Sequence, residues 1–231
     1  LNNYSESYNL NKFYKEQEHY SENKLFELYR SKGLDKQNIA KQLALKDIFA
    51  IKSVLGNNIF ENLVIRYNPY VMMGSGEHHV YEKDKDKRYE IVLNSDGLYH
   101  QASTLLHELG HKFFDENVRV DEKLLKEYQG IYNNTLHSGA EYTWENRLEE
   151  TFAEDFKIYA SKLLLNTQNK YIKELISTNS TDFLVNDTNN KYSNKEINKK
   201  IAFFKKASNK VNLKKQKRPT ISVKLDDYSS S

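Results

Sequence analysis

Leu105-Leu106-His107-Glu108-Leu109-Gly110-His111 sets two imidazoles four residues apart, with a carboxylate beside the first. On a helix that step brings both imidazoles to one face, about 40° apart, where they can bite a single ion. Glu108 is turned roughly 100° from His107, outside the ligand pair yet within reach of a water at the ion's open position. Ala102, Leu105, Leu109 and Phe113 gather on the opposite side of the wheel, so an apolar stripe anchors the helix and leaves the two His facing a cleft. Gly110 costs a helix interior about 1 kcal/mol relative to Ala, and close approach of another backbone explains it best. The pattern predicts a helix over about Gln101 to Asp115.

Upstream, Asp35 can cap a helix on which Ile39, Leu43, Ile48, Ile51 and Leu55 roughly track one face, and Gly56 is its stop signal. Phe60 to Tyr67 reads as a strand ahead of Pro69, Gly74-Ser75-Gly76 as a turn, and His78 to Tyr81 as a second strand. A charged tip, Lys83 to Arg88, separates it from a third strand, Tyr89 to Leu93, closed by Asn94-Ser95-Asp96-Gly97. Downstream the period is helical at about Asp121 to Gly130, Trp144 to Leu165, Asn169 to Ser177 and Asn194 to Ser208, with a surface loop at Thr178 to Asn190. The first thirty residues have weak period and suggest a helix or ordered arm around Tyr20 to Tyr29. The expected class is α+β: mostly helical, with a small twisted sheet beside the His107 helix. One domain is expected over 1–204, with a helical part at about 1–56, the site-bearing part at 57–177 and further helices at 178–204. A basic tail, 205–231, follows.

The 231 residues include no Cys, which removes disulfide scaffolds, thiolate metal sites and thiol nucleophiles together; any metal must be held by His, Asp or Glu. A net charge of +3 gives no field that argues for nucleic acid. No apolar run is long enough to span a membrane. The opening Leu1-Asn2-Asn3-Tyr4 carries neither an initiator Met nor a basic-then-apolar leader, so a mature form is expected. Serine-hydrolase elbows, phosphate-binding loops and dinucleotide fingerprints are absent. Lys205, Lys206, Lys210, Lys214, Lys215, Lys217 and Arg218 could touch phosphates or acidic lipid, but a solvated surface helix with a loose terminus is the expectation. His78 and His79, after the Gly74-Ser75-Gly76 turn, could form a metal or substrate contact, but adjacent His on a strand point to opposite faces and cannot chelate together. His137 reads as a surface-loop residue.

A site built on His107 and His111 needs a third ligand. Glu149, Glu150 and Glu154 stand on the helix expected from Trp144. Glu150 and Glu154 share a face, opposite Leu148, Phe152, Phe156, Tyr159 and Leu163, and periodicity alone leaves them as solvated acids or as ligands.

The HELGH segment, followed by Glu150-Thr151-Phe152-Ala153-Glu154-Asp155-Phe156, resembles the zinc peptidase domain of the anthrax lethal factor family, whose clostridial members include Pro-Pro endopeptidases. The likeness covers roughly Tyr89 to Leu165. It implies a zincin-like fold with one Zn2+ held by His107, His111 and Glu150, Glu108 as general base, and Glu154 hydrogen-bonded to a ligand His. The family also sets a Tyr seven residues before the ligand Glu; here that position is Thr143, and Tyr142 is the adjacent candidate for stabilising the oxyanion. Counting from Tyr142 would select Glu149 as ligand, whereas Glu150 keeps register with Phe-Ala-Glu. By the same resemblance Tyr89, Ile91 and Leu93 would lie on an edge strand that holds an extended peptide. The expected activity is a secreted zinc endopeptidase of toxin or surface-processing type, from a Gram-positive bacterium, acting as a monomer on protein or peptide substrates. A non-catalytic zinc-binding accessory or adhesion module is the alternative.

Overall fold

The computed structural model describes Glu27, Arg30, Ser31, Gly33 and residues 36–56, 58–68, 76–83, 86–94, 102–133, 147–166, 170–178 and 194–214. Helix α1 (Lys36–Leu55) ends where the sequence sets its stop: Gly56 takes φ 81° and its N–H bonds the Lys52 carbonyl at 2.9 Å. Ile48, Phe49 and Ile51 are buried on its inner face. The side chains of Ile39 and Leu43 lie outside the described residues.

Three strands follow: β1 (Leu63–Asn68), β2 (Gly76–Lys83) and β3 (Asp86–Asn94), in the order β1-β3-β2. β1 runs parallel to β3, with Leu63 opposite Tyr89, and β2 runs antiparallel, with His78 opposite Ile91. The charged segment expected between the strands is largely strand itself: Lys83 ends β2 and pairs with Asp86, and Asp86 to Arg88 open β3. Period-2 alternation turns Leu63, Ile65, Tyr89, Ile91 and Leu93 toward the core. This topology corrects one expectation. Tyr89, Ile91 and Leu93 lie on the central strand, whose edges are both taken, and they are 2%, 0% and 1% exposed, so they offer a peptide neither backbone nor side chain. Gly76, expected in a turn, instead opens β2.

The HELGH helix is α2 (Ala102–Phe113). It widens at once into a π-helical turn, Phe114–Val118, in which the Arg119 N–H reaches the Phe114 carbonyl at 2.8 Å. Asp121 caps α3 (Glu122–Asn133): its Oδ1 accepts the N–H groups of Lys123 and Leu124, both at 3.2 Å. Then come α4 (Arg147–Leu165), α5 (Lys170–Thr178) and α6 (Asn194–Lys214). α6 continues past Lys205, and Ala207 on it is fully buried.

Helices α2 and α4 meet almost backbone to backbone. A Cβ on Gly110 would stand 2.7 Å from the Ala153 Cα and 3.0 Å from the Ala153 carbonyl oxygen, which is the close approach the sequence called for. Beside the crossing, the Phe152 ring packs against Phe113, Phe114, Tyr128, Phe203 and Phe204, with centroids 4.7–6.3 Å away. Behind it the buried Asp155 carboxylate accepts the Tyr128 hydroxyl at 2.8 Å and the Lys200 ammonium at 2.7 Å, so α3, α4 and α6 share one satisfied polar contact. The molecule is α+β, mostly helical with a small three-stranded mixed sheet. No helix among the described residues is long and apolar enough to cross a membrane.

Candidate metal centre

The α2–α4 crossing that buries Phe152 turns the opposite face of α4 toward the two His. Alternation by four residues then stacks Glu150 and Glu154 along that face, against His107 and His111 at the same spacing on α2. The Nε2 atoms of His107 and His111 lie 3.1 Å apart. Glu150 Oε2 stands 3.1 Å from His107 Nε2, and Glu150 Oε1 stands 3.3 Å from His111 Nε2. One ligand atom from each of the three residues lies within 4.8 Å of the others, so two imidazoles and a carboxylate converge closely enough to hold one metal ion. Among the described residues these three are the one group of His, Asp and Glu that converges in this way.

His107 donates its other ring nitrogen, Nδ1, to Glu154 Oε1 at 2.6 Å. That bond orients the ring with Nε2 toward His111 and Glu150, and once the imidazole is neutral it leaves the lone pair on Nε2. Lys157 holds the same carboxylate from the far side at 2.9 Å. Burial pulls the His107 imidazolium down, but hydrogen bonds to Glu150 and Glu154 outweigh it and push the group up to about 9. Burial raises Glu150, and the hydrogen bonds from His107 and His111 outweigh it in turn, taking the carboxyl to about 2. Glu154 is lowered as well, its burial overcome by the His107 bond and the Lys157 charge. The His107 proton is thus shared with the carboxylates of Glu150 and Glu154.

Glu149, the neighbour, faces away. Its Oε1 accepts the Arg119 guanidinium at 2.6 Å, and Arg119 also bonds Asp115 at 2.7 Å. The geometry therefore brings Glu150 to the two His and commits Glu149 to a surface clamp. Glu108 is buried beside the trio, its carboxylate against Gly76 and Thr104 rather than among the three ligand atoms. Tyr142 and His137 lie outside the described residues.

Two further residues border this centre: His78, which the sequence offered only as a possible contact, and Arg119, which it did not single out. His78 shares the inward face of β2 with Gly76, and its ring stacks on His111 with centroids 6.1 Å apart. Burial, followed by the nearby His111 and Lys112 charges, drives the His78 imidazole down to about 3, so it stays neutral. Its signal was present in the period-2 phase of β2, which separates His78 from His79. The Arg119 clamp was announced by Asp115 and Arg119 at i, i+4, but the reach to Glu149 depends on the π turn. No protein-family model matches the chain, and no curated protein or solved structure matches it either.

Proposed function

We propose that this chain is a zinc-dependent endopeptidase with a zincin-like active site, as its resemblance to the lethal factor family implies. The observation that carries the reading is the cluster of His107 Nε2, His111 Nε2 and the Glu150 carboxylate, with one Glu150 oxygen 3.1 Å from His107 Nε2, the other 3.3 Å from His111 Nε2, and the two ring nitrogens 3.1 Å apart, next to the buried Glu108. Bound there, zinc would supply Lewis acidity, polarising a carbonyl oxygen and lowering the pKa of a water to about 7.

The chain's own residues do the rest. His107 and His111 present lone pairs from a rigid helix, and Glu150 contributes the single negative charge. Glu154 keeps the His107 ring oriented through Nδ1. Glu108 accepts the proton as water adds to the scissile carbonyl and returns it to the leaving amine nitrogen, so the proton it gains in one half of the reaction is the proton it gives in the other. With β3 internal, the strand open to a peptide on the α2 side is β2, whose outer edge has no strand partner among the described residues. Such pairing suits an extended protein or peptide segment and a monomeric enzyme, and neither the charge balance nor the site calls for nucleic acid.

The test is zinc analysis of the purified protein together with cleavage of a randomised peptide library read by mass spectrometry. One zinc per chain is expected, with cleavage lost in Glu108→Ala while zinc is retained. Zinc bound without any cleavage would leave a metal-binding module, and absence of zinc would overturn the reading altogether.

A further inference from the structure

β2 begins on a glycine whose φ lies outside the left-handed region, so backbone freedom does not explain it. Space does. A Cβ built on Gly76 would stand 2.4 Å from Thr104 Cγ2, 3.0 Å from Glu108 Oε1 and 3.3 Å from Glu108 Cγ. The first distance is shorter than real Cβ atoms tolerate, and the other two are tight. Thr104 and Glu108 are one helical turn apart on α2, so the bare backbone of Gly76 rests against both. Thr104 is β-branched with stiff χ1, whereas the Glu108 carboxylate is the far end of a longer side chain. Of the two, Glu108 is the group that would yield.

We propose that Gly76 is a positioning residue for Glu108: the gap it leaves on β2 seats the carboxylate and fixes its alignment with the His107, His111 and Glu150 triangle. This rests on Glu108 being the general base. Gly76 belongs to the strand with the open edge, so one backbone would set both the base and the peptide it acts on. General-base catalysis depends steeply on such placement, and misplacement by about 1 Å can cost about 100-fold.

The experiment uses the zinc-loaded full chain as wild type, Gly76→Ala, Thr104→Ser and the double variant Gly76→Ala/Thr104→Ser. Thr104→Ser removes the Cγ2 that a new methyl would strike, which relieves the packing clash and leaves the one with Glu108. Each is measured for zinc affinity, Tm, the Glu108 position in a crystal structure, and kcat and KM on a peptide taken from the library. In the double variant, zinc affinity and Tm are expected to stay near wild type, the Glu108 carboxylate to move, and kcat to fall about 10- to 100-fold with KM unchanged. The single Thr104→Ser protein is expected to match wild type. Glu108 unmoved in both Gly76 variants, or kcat fully restored by Thr104→Ser, would show that the glycine serves packing alone and would overturn the proposal. If wild type cleaves nothing, the peptidase reading falls by itself; the crystallographic position of Glu108 then decides the seating role, displacement supporting it and an unchanged carboxylate refuting it.

Discussion

Helix α4 has two faces that do opposite work. One carries Phe152 and Phe156 into a buried cluster of aromatic rings. The other carries Glu150 and Glu154, about a fifth exposed, into hydrogen bonds with His107 and His111. Both are buried against the same partner helix, and the Gly110–Ala153 contact is the hinge line between them. The apolar face gains free energy from closing up, while the polar face gathers the carboxylates and imidazoles that the proposed function assigns to a metal ion. Fold and site are therefore separable by mutation even though they share one helix.

The largest effect should come from the apolar face. Phe152→Ala is expected to lower stability by about 3–5 kcal/mol in denaturant titration, because the ring sits among aromatic neighbours that cannot all collapse into the void. On the polar face the loss should appear in metal binding instead. Glu154→Gln is expected to weaken zinc by about 10- to 100-fold in a chelator competition, and Glu150→Ala by more than that. Glu149→Ala should stay within a few-fold. Equal losses at Glu149 and Glu150 would erase the distinction drawn between them.

Acidity sharpens the contrast next. In the zinc-free protein the raised His107 contributes stability that is full below its ordinary value of 6.5 and is lost as pH climbs to about 9. The lowered Glu150 contributes above 4.5 and loses its share as pH falls toward 2. Calorimetry should therefore show the zinc-free Tm declining by a few degrees between pH 6.5 and 9, and loading with zinc should abolish that decline, since the metal then occupies the lone pair the proton held. Arg119→Ala comes last. Its guanidinium is half exposed, so breaking the clamp on Asp115 and Glu149 should cost at most about 1 kcal/mol of stability and a few-fold in zinc affinity, measured by the same competition.

Much of α2 could be read directly. The i, i+4 spacing of His107 and His111 is local geometry, and the helical cost of Gly110 pointed to a close neighbour before one was seen. α4 was half legible: its wheel separated Phe152 and Phe156 from Glu150 and Glu154, but which face meets solvent depends on α2 lying across it, a long-range fact. Strand order was not legible at all. Alternation shows that Tyr89, Ile91 and Leu93 face one way, yet whether their strand is central or at an edge is decided by β1 pairing from a distant part of the chain. The π turn leaves no periodic trace, so the path from Arg119 to Glu149 could not be drawn from spacing.

The edge of β2 that has no strand partner among the described residues has a consequence for self-association. Backbone groups that would accept a peptide would equally accept a strand from another molecule, and an unprotected edge of this kind invites stacking and aggregation. The sequence of β2, Gly-Glu-His-His-Val-Tyr-Glu-Lys, carries charged residues at Glu77, Glu82 and Lys83. Charged residues in an edge strand oppose runaway pairing between copies. Neutralising those three residues is a way to ask how much colloidal stability the protein draws from a strand it must keep unpaired.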